Sequence, residues 1–313
     1  MIHEIAALAL PTALGLLAGA AHLFDKPRAA VHALNRYALT FAFPALIVRS
    51  LIDPTFAPPT NAAFFLIVPL GLLLALSVIL LTSQLFPSLR PFRGSAALLA
   101  SFGNVAYLGL PLIAVLLGPT VVGLAALLVA CHIVAGLLVG PALLLAWSSG
   151  THADRPGLGV LLRQPLLWAP VVGLLARWLP ATTGAAVDSL ITPVASSAAP
   201  VALFLLGLYL HGERRAVLRP SLGALVHVLT KLVVLPLCTV SALWLLSYVG
   251  PLPEGGATAA LLLSTMPAAI TTFSLSESLG VAEVAVAQAI VLTTLVAALV
   301  GPWLWPWLAA GWG

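Results

Sequence analysis

The residues best suited to hold a ligand lie in two short stretches that interrupt otherwise apolar sequence. Gly103–Pro111 reads Gly-Asn-Val-Ala-Tyr-Leu-Gly-Leu-Pro, and Ser264–Thr272 reads Ser-Thr-Met-Pro-Ala-Ala-Ile-Thr-Thr. A proline inside a helix removes one hydrogen bond and clashes with the carbonyl four residues before it, which costs about 3 kcal/mol. Glycine weakens helix formation further. Each stretch therefore predicts either a kinked helix or a helix that is broken into two halves.

A broken helix would create an anion site without any basic side chain. The N-terminal end of each half-helix leaves N–H groups free and carries about half a positive charge. Asn104 is the strongest candidate, because a large amide within apolar sequence needs hydrogen-bond partners, whereas any single hydroxyl is better explained by local structure. The candidate binding residues are Gly103, Asn104, Tyr107, Pro111, Pro267, Ala268, Thr271 and Thr272.

Three further residues are candidates for charge compensation or ion coupling. Lys231 lies about ten residues into an apolar run, which is roughly 15 Å of helix, and His227 precedes it by one turn. An ionisable residue at that depth in a membrane is costly and indicates a function by default. Lys231 could hold an anion or replace a coupling cation, or it could simply bind carbonyl groups. Gln288 could help to gate the site or to bind a cation.

The composition requires a lipid environment. Of the 313 residues, 61% are hydrophobic and 7% are charged, whereas a soluble domain carries about 25% charged residues. In a bilayer only helices and closed barrels satisfy the backbone polar groups, and long apolar runs such as 121–147 exclude the alternating strands of a barrel. The sequence therefore predicts an all-α integral membrane protein, with the lipid bilayer as its surroundings.

Several classes of function lack the residues that they need. No basic tail or face is present, so nucleic acid is excluded as a partner. An enzyme is excluded because the sequence has no metal-ligand spacing such as His-Glu-x-x-His, no paired aspartates and no serine with a base. No metal site and no cofactor are predicted.

Breaks in hydropathy predict ten membrane spans of about the 20 residues that a bilayer requires. They lie near residues 4–23, 30–51, 62–86, 94–117, 119–147, 165–180, 186–210, 218–249, 257–280 and 283–309. With the N-terminus outside, the basic residues gather at the cytoplasmic loops, and only Arg49 and Arg177 lie outside. This positive-inside bias predicts a multi-pass protein of the cell (inner) membrane with both termini outside.

The ten spans divide into two sets of five, and because five is odd the second set must have the inverted orientation. Pro44 and Pro200 are 156 positions apart, as are Pro111 and Pro267. This offset predicts two inverted repeats with the two interruptions at corresponding places in spans 4 and 9, which is the pattern of a transporter's binding site. The predicted domains are a first repeat at 1–147, a cytoplasmic linker at 148–164 and a second repeat at 165–313.

Five segments carry a resemblance to a known family. They are Leu34–Tyr37, Phe43–Leu46, Gly103–Leu112, Pro200–Gly207 and Met266–Ala269. In these segments and in their order the chain resembles the auxin efflux carrier family, which includes bacterial malate and malonate permeases. The long central loop of the plant carriers is absent here, which weakens auxin itself as the substrate.

The resemblance implies a fold shared with bile-acid/sodium symporters and sodium/proton antiporters. In that fold spans 1, 2, 6 and 7 form a scaffold, spans 3–5 and 8–10 form a moving core, and the broken spans 4 and 9 cross. It implies carboxylate substrates, elevator-type exchange of access and a homodimer. Asn104, Pro111 and Pro267 match the crossing residues of the family.

The expected function is a secondary transporter that moves a small organic anion, an auxin-like molecule or a dicarboxylate, by elevator-type alternating access. The alternative is a sodium-coupled organic-anion symporter of the bile acid type. No acidic side chain lies near the predicted crossing, which argues for transport without an ion or for a sodium ion held by backbone oxygens and hydroxyls. A channel is less favoured, since it would need a continuous polar lining.

Overall fold

Helices make up all of the regular structure that can be described. The structure, a computed structural model, describes residues 2–147, 165–212, 220–279 and 281–311, and within these ranges there is no β-strand. The predicted all-helical class is confirmed to that extent. The predicted linker at 148–164 lies outside the described residues, as do five of the arginines used for orientation: Arg155, Arg163, Arg214, Arg215 and Arg219.

The helices up to residue 147 follow the predicted spans closely. They are α1 (Ile2–Ala20), α2 (Pro27–Tyr37), α3 (Phe43–Ile52), α4 (Ala63–Leu85), α5 (Arg93–Ser101), α6 (Leu110–Leu116) and α7 (Pro119–Trp147). A π-helical turn at Ala38–Ala42 joins α2 to α3, and a second one at Val105–Gly109 leads into α6. A 3-10 turn, Pro87–Phe92, precedes α5.

The helices after residue 164 are α8 (Pro165–Ala176), α9 (Ala181–Ser196), α10 (Ala198–Gly212), α11 (Leu222–Leu229), α12 (Leu235–Ser247), α13 (Gly256–Ser264), α14 (Ile270–Leu279) and α15 (Glu283–Gly311). A third π-helical turn, Thr230–Val234, joins α11 to α12.

Six helical stretches among the described residues are long and apolar enough to cross a membrane. They are Pro27–Ile52, Ala63–Leu85, Pro119–Trp147, Thr182–Gly212, Leu222–Ser247 and Glu283–Ala310. Shorter apolar helices lie at Leu10–Ala20, Val105–Leu116 and Pro165–Ala176. The protein is therefore a multi-pass membrane protein, whereas the number of ten spans, their inverted repeat and the side of each terminus stay predictions.

Each of the three π-helical turns in the described chain immediately precedes a helix with proline at its second position. The prolines are Pro44, Pro111 and Pro236. A proline ring clashes with the carbonyl four residues before it, and in all three cases that carbonyl belongs to the π turn. The wider π turn accommodates the missing hydrogen bond, so these prolines modify a helix without breaking it.

Unit 1 is the compact unit formed by Met1–Pro58, Ala106–Ala130 and Leu162–Gly212. Its closest helix packing joins α1 to α10 through two glycines. A Cβ atom on Gly15 would lie 2.0 Å from the Phe204 carbonyl oxygen, and one on Gly207 would lie 2.0 Å from the Thr12 carbonyl oxygen. Glycine at both positions lets the two backbones approach this closely, which is a common way to pack helices in a bilayer.

Unit 2 is the compact unit formed by Pro59–Val105, Cys131–Leu161 and Glu213–Gly313. In it α4 packs against α5 and α12. One buried cluster brings together Leu72, Ile79, Ala96 and Ala100, and another brings together Ala75, Leu235 and Cys238. Because lipid tails are as apolar as these side chains, close contact rather than removal from water stabilises such packing.

The two units do not coincide with the two predicted repeats, because each unit takes segments from both halves of the chain. Unit 1 contains the predicted scaffold spans 1, 2, 6 and 7 together with residues 106–130, which the sequence assigned to core spans 4 and 5. A compact unit and a repeat are different divisions of a chain. The repeats, the scaffold and the moving core therefore stay predictions.

Candidate functional site

The two interrupted spans in unit 2 are paired with each other through their backbones. Regular helix stops at Ser101 and again at Ser264, and Gly103 faces Ala268 as an antiparallel pair between the two gaps. The Asn104 N–H donates to the Pro267 carbonyl oxygen at 2.7 Å, and the Ala269 N–H lies 3.4 Å from the Phe102 carbonyl oxygen that accepts it. Each break thus supplies hydrogen-bond partners for the other, which backbone inside a membrane requires.

Helix α15 supports the second break from one side. The Ala268 N–H donates to Thr293 Oγ1 at 3.1 Å, and the Thr293 hydroxyl donates in turn to the Ala289 carbonyl at 2.7 Å. Trp305 Nε1 donates to Thr265 Oγ1 at 3.1 Å. These hydrogen bonds hold the non-helical segment in a defined conformation. The break is therefore an ordered part of the fold and not a locally frayed helix.

Asn104 contributes a side-chain donor that the protein itself does not use. Its side chain is 3% exposed, and within the described part of the chain its Nδ2 atom has no hydrogen-bond partner. A buried amide without an acceptor costs about 1–3 kcal/mol. Because the Asn104 backbone is held by Pro267, the amide is fixed at the paired breaks with its donor unsatisfied.

Lys231 brings a second unsatisfied donor to the same place. The side chain is 0% exposed, and Nζ finds no hydrogen-bond partner among the residues that the structure describes. A Cβ atom added to Gly103 would lie 2.8 Å from Nζ, so the ammonium group lies directly against the first break, next to Asn104 in the chain. Glycine at 103 leaves the space that the lysine head occupies.

The helices closely packed against the π turn of Lys231 are α4, α5, α11 and α12, and none contains an aspartate or glutamate. His227, one turn before Lys231, is fully buried, and its Nε2 lies 2.8 Å from Ser95 Oγ on α5. His227 therefore has a protein partner, whereas Lys231 has none in the described residues. The side chains described around this π turn thus include a lysine without a partner and no carboxylate to balance it.

Gln288 lies on α15, and its side chain binds Ser221, the residue before α11. Its Oε1 accepts hydrogen bonds from the Ser221 N–H at 3.1 Å and from the Ser221 hydroxyl at 2.7 Å. Ser221 caps α11 by accepting from the Ala224 N–H, and about ten residues of helix, roughly 15 Å, separate it from Lys231. These contacts assign Gln288 a structural position at a helix end.

Tyr107 and Pro111 belong to unit 1. The Tyr107 hydroxyl donates to Asn35 Oδ1, and its ring stacks on Phe43 with the centroids 4.9 Å apart and the planes 5° from parallel. Pro111 is buried in the first turn of α6, after the second π turn. The aromatic ring and hydroxyl of Tyr107 are thus both engaged by neighbours on α2 and α3.

Thr271 and Thr272 lie in the first turn of α14, directly after the second break. The Thr272 side chain is fully buried, and its hydroxyl donates to the Ala269 carbonyl at 2.6 Å. Thr271 is half-buried. The structure therefore brings Gly103, Asn104, Lys231, Pro267 and Ala268 together, with the two threonines beside them.

The sequence did not single out Thr293 and Ser95, although both hold parts of the site. Thr293 binds the Ala268 N–H from another helix, and Ser95 binds His227. The available signal was weak: each is a small polar residue within an apolar helix, and such residues usually bond to their own backbone. Only tertiary packing reveals which of them reach another element.

Unit 1 contains a second polar site, a cavity of about 650 Å³. Arg49 Nε binds Asp188 Oδ1 at 3.1 Å, and Arg177 donates to the carbonyl oxygens of Leu51 and Asp53. The hydroxyl and N–H of the neighbouring Thr55 lower the pKa of Asp53 below its usual value. Both arginines already have acceptors and two carboxylates balance them, so this cavity does not favour an added anion.

The paired breaks suit an acceptor that carries negative charge. Three backbone N–H groups there, those of Asn104, Ala268 and Ala269, already have acceptors. Two side-chain nitrogens, Asn104 Nδ2 and Lys231 Nζ, have none within the described residues. An ionised carboxylate only accepts hydrogen bonds and has two oxygens to do so. Among the described residues no group of His, Cys, Asp or Glu could hold a metal ion.

Sequence comparisons give two findings. A profile of the family described as "Membrane transport protein" matches residues 1–155 and 158–305. The chain is also 28% identical over 306 residues to a protein of Rhizobium meliloti (strain 1021) named "Putative malonate transporter". That match covers 93% of this chain and 92% of the other protein.

Proposed function

The chain belongs to the membrane transport protein family, which confirms its predicted resemblance to the auxin efflux carriers, and from this premise we propose that it is a secondary transporter of a small organic anion. The proposed substrate class is a carboxylate, and the proposed binding site is the pair of helix breaks in unit 2. Family membership indicates a transporter and not an enzyme.

One observation carries the proposal. Asn104 Nδ2 and Lys231 Nζ are both buried at the paired breaks, and neither has an acceptor within the described residues. Leaving two such donors unsatisfied is costly. A carboxylate between the breaks would accept from them, and the N-terminal end of α14 would add a favourable dipole.

A dicarboxylate is favoured over an auxin-like molecule. The relative from Rhizobium meliloti carries malonate in its name. A compact dianion needs little volume and strong charge compensation, which Lys231 can supply. Malonate is therefore the first substrate to test.

The proposed mechanism is elevator-type alternating access, with the paired breaks carrying the anion across the membrane. The many hydrogen bonds around the breaks support this, because a site that moves as one body must keep its internal geometry. A homodimer assembled through the scaffold is proposed from the family resemblance alone.

The direct test measures binding and exchange with the purified protein. Malonate should raise the unfolding temperature in a concentration-dependent way, whereas propionamide, which is neutral, should not. In proteoliposomes loaded with unlabelled malonate, external labelled malonate should show saturable counterflow. A protein that malonate, succinate and indole-3-acetate all fail to stabilise, and that shows no counterflow of any of them, would contradict the proposal.

Two alternatives give different results in the same vesicles. A sodium-coupled symporter should lose uptake when choline replaces sodium, whereas the proposed site, with its own ammonium group, should retain it. A channel should show flux that does not saturate and no counterflow, because it has no carrier that returns with a bound substrate.

A further inference from the structure

Lys231 is the one ionisable side chain at the paired breaks for which the described residues provide no partner. It is completely buried, and its head group touches Gly103. The surrounding helices α4, α5, α11 and α12 contain no carboxylate; their other titratable or charged residues are Arg93, His227 and Cys238. The guanidinium of Arg93 lies over the Trp147 ring, 5.6 Å from its centroid, and His227 binds Ser95.

A buried ammonium group is stable only with a counter-charge. When the site is empty, none of the described neighbours provides one, so the neutral amine is favoured. When a carboxylate binds, it supplies the missing negative charge, and the ammonium form is favoured. Binding of the anion and binding of a proton to Lys231 must therefore strengthen each other, because such a linkage is reciprocal.

We propose that the transporter carries a proton together with its carboxylate, and that Lys231 holds this proton during the crossing. This inference rests on the proposed function and adds the coupling ion to it. On one side of the membrane the neutral amine takes a proton from water as the anion binds; on the other side the anion leaves and the proton returns to water. The empty carrier then comes back with a neutral lysine, so one proton accompanies each anion.

The alternative carrier of a proton at this place is His227, and the contacts favour Lys231. The Nε2 atom of His227 already has a partner in Ser95 Oγ, and the Phe92 ring packs edge-on against the imidazole with the centroids 6.4 Å apart. Lys231 alone touches the break itself. The proposal therefore predicts that coupling is lost on changing Lys231 and kept on changing His227 to glutamine.

The binding test uses the full-length purified protein and malonate as the probe. Calorimetric titrations in two buffers with different ionisation enthalpies give the number of protons taken up per malonate bound. We expect about one proton for the wild type near neutral pH and none for Lys231→Arg, because arginine stays charged with or without the anion. Equal proton uptake by the wild type and Lys231→Arg would overturn the proposal, since the proton would then reside on malonate or on another group.

The transport test uses proteoliposomes without sodium. An inward proton gradient should drive accumulation of malonate by the wild type, with acidification of the lumen reported by a trapped pH dye. Lys231→Arg should keep malonate exchange but lose net uptake at least tenfold, because the empty carrier would have to return with a buried charge. Lys231→Gln, which serves if the arginine variant does not fold, should bind malonate at least tenfold more weakly and without proton uptake.

The possible failures are distinguishable. Net malonate uptake by the wild type that moves no protons, with saturable counterflow retained, would overturn the role of Lys231 and leave the proposed function intact. If malonate neither binds nor shows counterflow, both the proposed function and the role of Lys231 are contradicted. Wild-type proton uptake that persists unchanged in Lys231→Gln would also overturn the inference.

Discussion

At the scale of single residues, Asn104 and Lys231 share a property that ordinary packing does not explain. Their side-chain nitrogens are buried beside backbone that is already hydrogen-bonded across the two breaks. Native proteins rarely leave a buried donor without an acceptor. A bound anion would accept hydrogen bonds from both side chains and so account for their burial.

Changing Asn104 to alanine should weaken malonate binding roughly 10- to 100-fold, the range expected for losing one hydrogen bond to a charged group. The fold should be preserved, because the Asn104 backbone N–H, not its side chain, holds Pro267. The measurement is the concentration of malonate that gives half-maximal thermal stabilisation. Asn61→Ala, which changes an asparagine in the loop before α4, is the matched control, and equal affinities of the two variants would remove Asn104 from the site.

Gly103→Ala tests the space that the lysine head occupies. The new methyl group would lie 2.8 Å from Lys231 Nζ, so the ammonium group must move away from the break. We expect malonate affinity to fall at least tenfold with little change in unfolding temperature, because a flexible side-chain end can shift. Gly184→Ala, where an added Cβ meets nothing within 4 Å, should bind malonate normally. Full affinity in Gly103→Ala would mean that Lys231 does not act at the break.

At the scale of the elements, the geometry of the site depends on a helix that carries no ligand-binding residue. Thr293 on α15 accepts from the Ala268 N–H while donating to its own helix at Ala289. The Thr293 hydroxyl thus holds the second break to α15 by accepting one hydrogen bond and donating another.

Thr293→Val keeps the shape of the side chain but leaves the Ala268 N–H buried without an acceptor, at a cost of about 1–3 kcal/mol. We expect a lower unfolding temperature and weaker malonate binding together, because the break loses its support. Thr293→Ser restores the hydroxyl and should recover both. If valine lowers neither quantity, the break does not need this bond.

The close contact between α1 and α10 gives a second prediction at this scale. An alanine at Gly207 would place its Cβ 2.0 Å from the Thr12 carbonyl oxygen, and relieving such an overlap costs about 1–3 kcal/mol. Gly207→Ala should therefore lower the unfolding temperature measurably, whereas Gly212→Ala, at an open position on the same helix, should not. Equal stability of the two variants would show that the helices separate easily.

At the scale of the whole molecule, each compact unit is assembled from distant parts of the chain. The paired breaks join residue 103 to residue 268, α1 packs on α10, and α4 packs on α12. Every one of these contacts links the first half of the sequence to the second.

This arrangement predicts that neither half folds alone. Residues 1–147 and 165–313, expressed separately in membranes, should be degraded or aggregated, because each would expose the polar break that its partner satisfies. The same two fragments expressed together should assemble and recover malonate stabilisation. Size-exclusion chromatography in detergent measures the outcome, and a stable, monodisperse half would contradict the prediction.

The sequence alone predicted the helical class and the positions of the breaks, because the residue types there permit few backbone conformations. Apolar runs with 7% charged residues permit only helices in lipid, and Gly103, Asn104 and Pro267 mark where regular helix stops. The family followed from the same segments. Pro111 was less informative than expected, because its ring is accommodated by a π turn and the break lies at residues 102–104, before Val105.

Only the tertiary structure decided which polar residues meet. Hydropathy cannot distinguish Tyr107, whose hydroxyl binds Asn35, or Gln288, which binds the start of α11, from Asn104, whose amide has no acceptor in the described residues. Helix periodicity gives the depth and the face of a side chain, but not the neighbouring helix. The position of Lys231 against Gly103 depends on contacts more than 120 residues apart in the chain, which local sequence does not encode.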